Sequence, residues 1–286
     1  MTWTLTHDPA AFRAGAGAFV DDHPAENTVL LTVLDRFAKD GPHAYGPDDP
    51  LLGWWRSAPD GPVEGAFLRT PPYPLRLGRM PVPAAAGLAR TLHAQGVPVH
   101  GVGGIREAAE AFAAAWTAAD GGVTATVAVD ERLHRLAGLV PPDPAPRGRV
   151  RPARADDREQ LVAWHEAFTA EIAGGRATDH AAAVDHRLAD GTLHLWEDGG
   201  LPVSFAGVSP VIAGMARIGP VYTPPALRGR GYASGLVAAG SAHALREGAS
   251  EVLLYTDLAN RTSNAIYHRL GYRQVGDLVV LDFTAR

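Results

Sequence analysis

The chain has 286 residues, 46% of them hydrophobic and 20% charged, and carries a formal net charge of −5. Such a length suits two domains of ordinary size and leaves room for a sizeable core. The absence of cysteine excludes disulfides, thiolate metal sites and cysteine nucleophiles, and the acidic balance argues against a nucleic-acid partner.

No basic segment followed by an apolar run marks the N-terminus, so no secretory signal is expected. The longest uncharged stretch, Gly199–Ala216, is interrupted by Pro202 and Pro210 and is unsuited to span a membrane. A cytoplasmic location is the resulting expectation.

In chain order, a strand is expected at Trp3–Thr6, then helices at Pro9–Val20 and Glu26–Ala38. Asp8 before Pro9 reads as an N-cap followed by a first-turn proline. Leu52–Arg56 and Val63–Arg69 flank Ala58-Pro59-Asp60-Gly61-Pro62 and predict a hairpin, with a third strand at Leu75–Arg79. A helix at Ala84–Gln95, a short strand at Val97–His100, a helix at Ile105–Ala118 and a strand at Val123–Val129 follow. Gly101-Val102-Gly103-Gly104 lacks the third glycine of a dinucleotide fingerprint and reads as a tight turn.

Pro141–Arg149 packs four prolines and a glycine into nine residues and holds neither helix nor central strand. It predicts an N-terminal domain over 1–140, a linker over 141–149 and a C-terminal domain over 150–286. The second half repeats a similar order. Strands are expected at Val150–Pro152, Leu193–Trp196, Pro202–Val208, Arg217–Thr223, Val252–Thr256 and Val279–Phe283. Helices are expected at Asp156–Ile172, Asp179–Leu188, Gly231–Glu247 and Thr262–Leu270. The fold class is therefore mixed α+β, each half a mostly antiparallel sheet flanked by helices.

The most informative segment runs Val221-Tyr222-Thr223-Pro224-Pro225-Ala226-Leu227-Arg228-Gly229-Arg230-Gly231-Tyr232-Ala233. A strand ends in two prolines, an Arg-Gly-Arg-Gly turn follows, and a helix begins. A helix start leaves about four N–H groups unpaired and carries partial positive charge. Glycines there let a ligand approach, and the arginines add charge, so the turn suits an anion such as phosphate. It is neither a P-loop nor a dinucleotide fingerprint. His180, Asp185 and His186 do not share a helix face, no zinc-protease motif is present, and no metal is expected.

Arg228-Gly229-Arg230-Gly231-Tyr232-Ala233 resembles the Arg/Gln-x-x-Gly-x-Gly/Ala loop of the GNAT acetyltransferase superfamily. Leu254–Asn260, leading to Asn264-Ala265-Ile266-Tyr267-His268-Arg269-Leu270-Gly271-Tyr272, resembles that family's second signature. Both motifs are similar in wording to the glycine N-acyltransferase-like branch, and the first half resembles a GNAT-like domain only in its order of elements. The resemblance implies a tandem GNAT-like architecture and acetyl-CoA as acyl donor. It implies that Arg228, Gly229, Arg230, Gly231, Tyr232 and Ala233 hold the pyrophosphate. Val221, Tyr222 and Thr223 would line the pantetheine arm, Asn260 and Asn264 would contact the cofactor, and Tyr267 would protonate the departing thiolate.

The acyl group would pass directly to an amine of a small molecule or amino acid, without a covalent enzyme intermediate. The N-terminal half would help shape the acceptor site. The family's frequent strand glutamate is missing from Ala216–Tyr222. Glu166, Glu171, His165, His194 and Glu197 are the remaining candidates for general base, beside a water chain. A CoA-binding sensor or scaffold without turnover is the alternative. A tRNA-dependent peptidyl transferase of related architecture is disfavoured by the net charge. Monomer and homodimer both remain open.

Overall fold

The computed structural model describes residues 2–172 and 179–286. In chain order it contains β1 (Thr2–Thr6), α1 (Pro9–Asp21), α2 (Thr28–Asp40), β2 (Leu51–Arg56), β3 (Gly65–Arg69) and β4 (Leu75–Leu77). Then come α3 (Val82–Ala94), β5 (Gly101–Ile105), α4 (Arg106–Asp120), β6 (Val123–Leu136), β7 (Arg149–Pro152), α5 (Arg158–Glu171) and α6 (His180–Ala189). The chain ends with β8 (Leu193–Asp198), β9 (Leu201–Val208), β10 (Met215–Tyr222), α7 (Tyr232–Arg246), β11 (Glu251–Asp257), α8 (Arg261–Arg269) and β12 (Tyr272–Ala285).

Two compact units emerge, Met1–Glu131 with Gly276–Arg286, and Arg132–Val275. Both boundaries fall inside long strands, β6 and β12. In this division the proline-rich segment 141–149, expected as a linker, lies inside the second unit. It forms neither helix nor strand up to Gly148, as its composition requires. Its packing is nonetheless specific. Trp196 Nε1 donates to Arg147 O at 2.7 Å, and a Cβ on Gly235 would lie 2.6 Å from Pro146 Cγ.

In the first unit the strands run β1-β2-β3-β4-β5-β12-β6. Neighbouring strands from β1 to β4 are antiparallel, β4 and β5 are parallel, and β12 is antiparallel to β5. Asp8 caps α1 as expected, accepting from Ala10 N at 2.8 Å. Leu88, Leu92 and Phe112 of α3 and α4 are fully buried against Phe67, Val102 and Val279 of the sheet. Gly101–Gly104 is not the expected turn; it is the central strand β5. A Cβ on Gly101 would lie 2.7 Å from Leu281 O, and one on Gly104 would lie 2.8 Å from Leu77 Cβ. The glycines admit two close neighbouring strands, which a local reading takes for a bend.

In the second unit the strands run β12-β6-β11-β10-β9-β8-β7. The pairs β7–β8, β8–β9 and β9–β10 are antiparallel, and β10–β11 is parallel. Alternation of side chains along β10 gives the sheet two distinct faces. Ala216 and Ile218 join Val237 of α7 and Tyr267 and Leu270 of α8 in one core. Tyr222 joins Leu161 of α5 and Val184 of α6 in another. The fold is thus mixed α/β with mostly antiparallel pairing, as the order of elements predicts. Among the described residues no helix is long and apolar enough to cross a membrane.

Candidate functional site

Parallel pairing of β10 with β11 runs from Met215↔Glu251 to Ile218↔Leu254 and stops there. Beyond Ile218, β10 keeps β9 as its neighbour, through Val221↔Ala206 and Tyr222↔Phe205, after a register shift. Pro220 lies within that shift and has no N–H to give to a ladder. The result is a split between two parallel strands that opens at Gly219. On the β9 side the end of β10 is fixed: Ser204 Oγ donates to Tyr222 O at 2.8 Å and lies 2.8 Å from Thr223 Oγ1.

The chain leaves β10 through Thr223 and Pro224, makes a 3-10 turn over Pro225–Leu227, and enters α7. Gly229 and Gly231 have φ of +78° and +81°, the left-handed region that glycine enters without cost. Gly231 is the N-cap, and no side chain caps the helix. Gly235 N–H, bonded to Gly231 O at 3.0 Å, is the first amide of the helix to find an acceptor among the described residues. The amides of Tyr232, Ala233 and Ser234 are therefore available to a ligand, at the positive end of the helix dipole. Gly229, Arg230 and Gly231 are exposed. A Cβ on Gly229 would meet nothing within 4 Å, so the space before the amides is open.

The two arginines of the turn differ. Arg228 donates through Nη2 to both carboxylate oxygens of Glu171 at 2.8 and 2.7 Å, and through Nε to Thr223 O at 2.9 Å. Its guanidinium also lies 5.8 Å from the centre of the Tyr222 ring. Arg228 holds the shape of the turn, while Arg230 has no ion-pair partner among the described residues. The Tyr232 side chain is buried, with its hydroxyl donating to Asp198 Oδ2 at 2.6 Å, so only its backbone faces the cradle.

On the other side of the split, Tyr267 of α8 is buried, edge-on to Tyr272 at 6.1 Å between ring centres. Burial pushes its phenol up to about 12, which keeps the proton on the oxygen at working pH. Asn260 is the N-cap of α8, accepting from Ser263 N at 3.0 Å, and its amide nitrogen has no hydrogen-bond partner among the described residues. Asn264 differs from the expected cofactor contact. Its Oδ1 accepts from Thr256 Oγ1 at 2.8 Å, and its Nδ2 donates to Asp257 O at 3.0 Å and Asn260 O at 2.8 Å. Both ends of that amide are committed to pinning α8 onto the end of β11.

The candidate bases fare unevenly. Glu171 is tied to Arg228. The Glu197 carboxyl is drawn below its usual range by hydrogen bonds from Arg151 and Arg149. Burial, with Arg187 and His180 nearby, pulls His165 down to about 4. Burial and His243 lower His194, against a backbone hydrogen bond at Thr192 that raises it. Glu166 is exposed on α5. No acidic residue stands on β10.

The reading of residues along the chain missed Arg187, a basic residue in the last turn of α6. Its Nη1 donates to Gly219 O, at the mouth of the split, at 3.2 Å. The signal was Gly207 in β9: a Cβ there would collide with the Arg187 guanidinium.

The strand-to-helix turn after β4 in the first unit is built differently. Asn27 is fully buried, accepts from Arg79 N at 2.8 Å, and occupies the space beside Gly78. The following helix begins with Pro81 as N-cap and Pro83 in its first turn, so two positions there lack an N–H.

Residues 156–272 match the acetyltransferase (GNAT) family. The superfamily assignment of this segment is supported by that match, and the fold of the whole chain by solved structures. The chain is similar to a GNAT-family acetyltransferase from Colwellia psychrerythraea, with TM-score 0.64, 12% identity, and 99% and 100% of the two chains covered. It is similar to a GCN5-related N-acetyltransferase from Sphaerobacter thermophilus, with TM-score 0.61, 21% identity and 99% and 95% covered. A Drosophila protein has TM-score 0.65, 13% identity and 98% of both chains covered. No curated protein matches the chain.

Proposed function

We propose that this protein is an acetyl-CoA-dependent N-acyltransferase that moves the acyl group directly to an amine. The observation that carries the reading is the set of unpaired amides at Tyr232–Ser234. They are capped by left-handed Gly231 and stand beside a split between β10 and β11. The match of this segment to an acetyltransferase family supports it, and the wording of the two motifs favours the glycine N-acyltransferase-like branch.

The residues present suit the donor. The amides after Gly231 and the side chain of Arg230 would receive the pyrophosphate. The edge of β10 from Gly219 to Tyr222, with Thr223 after it, would run beside the pantetheine arm. The acyl donor supplies an activated thioester. The amine nitrogen attacks the carbonyl carbon, a C–N bond forms and the C–S bond breaks. Tyr267 gives its proton to the departing sulfur and regains one from solvent. The amine loses a proton to water, since Glu171 and Glu197 are held in ion pairs and His165 is a weak base. Holding both reactants in one cleft supplies much of the rate.

The absence of a carboxylate on β10 favours a second reading, a CoA-binding sensor without turnover. Calorimetric titration with acetyl-CoA, on wild type and on Gly229→Asp, tests the site. Asp tolerates the left-handed backbone, the space beside Gly229 is open, and its charge would repel a pyrophosphate. Binding by wild type and its loss in the variant are expected. Equal binding by both would remove the cradle, and no binding by folded wild type would remove the donor. Thiol release across an amine panel separates enzyme from sensor.

A further inference from the structure

Helix α8 has little apolar surface to hold it. Within Arg261–Arg269 only Tyr267 is buried, and Leu270 just past the end is the next apolar anchor. A helix this short is marginal in water without tertiary ties. Because it carries the phenol of Tyr267, its seat on the sheet decides where that proton donor stands.

The polar tie is made at Asn264, one turn before Tyr267 and on the same side of the helix. Its partner Thr256 lies two residues along β11 from Leu254, so both point to one face, and Leu254 shares a core with Tyr267. A third group comes from β6, the neighbouring strand. Buried His134 places Nε2 3.1 Å from Thr256 Oγ1 and 3.2 Å from Asn264 Oδ1. Nothing in the motif around Tyr267 points to this histidine, which lies 130 residues before Asn264.

The direction of each bond follows from Asn264. Its Nδ2 donates to Asp257 O at 3.0 Å and Asn260 O at 2.8 Å, so the other end of the amide is the carbonyl oxygen, which only accepts. Thr256 Oγ1, 2.8 Å away, gives its hydrogen to that oxygen and keeps lone pairs for His134. Nε2 therefore faces two acceptors and must carry a hydrogen. Turning the threonine hydroxyl to a bare Nε2 would instead leave Asn264 Oδ1 with no donor and a lone pair opposite it, a costly arrangement in a part-buried place.

We infer that His134 is a positioning residue whose Nε2–H holds Thr256 and Asn264 together, and through them sets the seat of α8 and the aim of Tyr267. The inference rests on the acyltransferase reading above. The bond directions also say which replacement works. Glutamine can bring an amide N–H to the place of Nε2, whereas leucine fills the space without a donor.

The experiment measures kcat on wild type, His134→Leu and His134→Gln, each alone and combined with Tyr267→Phe. Alone, His134→Leu should lower kcat about tenfold or more, as misplacing a catalytic group does, with acetyl-CoA affinity unchanged by calorimetry. His134→Gln should return most of the lost rate. Combined with Tyr267→Phe, His134→Leu should cost nothing further, because the group it aims is gone. Fully additive losses, equal losses in the leucine and glutamine variants, or a loss confined to acetyl-CoA affinity each overturn the inference and leave the acyltransferase intact. Two NMR signatures test it without turnover. The histidine nitrogen signals, assigned by difference from His134→Gln, should show Nε2 of His134 bearing hydrogen, and a bare Nε2 overturns the inference. The Tyr267 ring signals, assigned with Tyr267→Phe, should move in His134→Leu and return in His134→Gln, and signals indifferent to both overturn it. Should His134→Leu fold poorly, as judged by circular dichroism, Thr256→Val replaces it in every comparison, since it removes the hydroxyl that the three groups share. If folded wild type binds no acetyl-CoA or acylates no amine, the acyltransferase reading falls instead, and the two NMR signatures alone decide whether His134 seats α8.

Discussion

Arg228 and Glu171 are joined by two hydrogen bonds, 2.8 and 2.7 Å long, that tie the turn after β10 to the last residue of α5. The same guanidinium holds Thr223 O. A residue that reads from sequence as a phosphate ligand therefore also acts as a brace for the loop that carries the amides.

Glu171→Gln is expected to leave thermal stability almost unchanged, because an exposed ion pair contributes under about 1 kcal/mol. It should nevertheless weaken acetyl-CoA binding several-fold, since the loop loses its tie. Calorimetry and a melting curve on the same sample separate the two effects. Unchanged affinity would mean that the brace does not shape the cradle.

Tyr267→Phe should lower kcat by about a hundredfold, within the usual range for loss of a general acid, and leave acetyl-CoA affinity as it was. Because burial lifts this phenol to about 12, the wild-type hydroxyl stays protonated as pH rises through 10. Any decline of kcat below that pH must come from another group. An alkaline limb near pH 9 that disappears in Tyr267→Phe would contradict this assignment.

Asn264→Ala should be destabilising by about 1–2 kcal/mol, because it removes three hydrogen bonds that tie α8 to the end of β11. Denaturant unfolding measures it. A fully stable Asn264→Ala that loses only acetyl-CoA affinity would return this residue to the cofactor.

Arg151 bonds Asp157 at 2.7 and 2.8 Å and Glu197 at 2.8 Å, with all three side chains under 20% exposed. Hydrogen bonds from Arg151, then from the Arg154 backbone, hold the Asp157 carboxyl below the usual range. A carboxyl depressed in the folded state stabilises the fold above its unfolded pKa, about 3.9. That contribution is lost as pH falls through the lower folded value. Melting temperature should drop below about pH 4 in wild type. Arg151→Met should melt lower at pH 7 and show a shallower acid decline. Parallel pH curves for the two proteins would contradict the linkage.

Much of the site was legible because local rules bear on it directly. Glycines at 229 and 231, prolines at 224 and 225 and the helix after them announce a strand, a turn and an open helix start. What separates Arg228 from Arg230 is a glutamate on another helix, 57 residues away, which no local rule contains. Asn264 and Asn260 look alike in the motif, yet the amide of one is tied to Thr256, His134 and two backbone carbonyls while the other caps a helix. Gly101–Gly104 carried the signal of a bend because glycine serves both bends and close strand neighbours. The choice between them lay with Leu281 and Leu77, far along the chain. The prolines of 141–148 announce a stretch without helix or strand, but its docking onto Trp196 depended on tertiary contact.

The final strand has a consequence for biosynthesis. Residues 278–282 of β12 pair with Gly101–Ile105 inside the first unit. A nascent chain therefore holds every residue of the second unit before the first unit receives its last strand. The N-terminal sheet must wait on the ribosome with β5 uncovered on that side, and a chain cut after Val275 would leave that edge permanently open. Strand edges of this kind invite pairing with other chains, so such a truncation should express mainly as aggregate, while internal cuts in the loop 58–62 should be better tolerated.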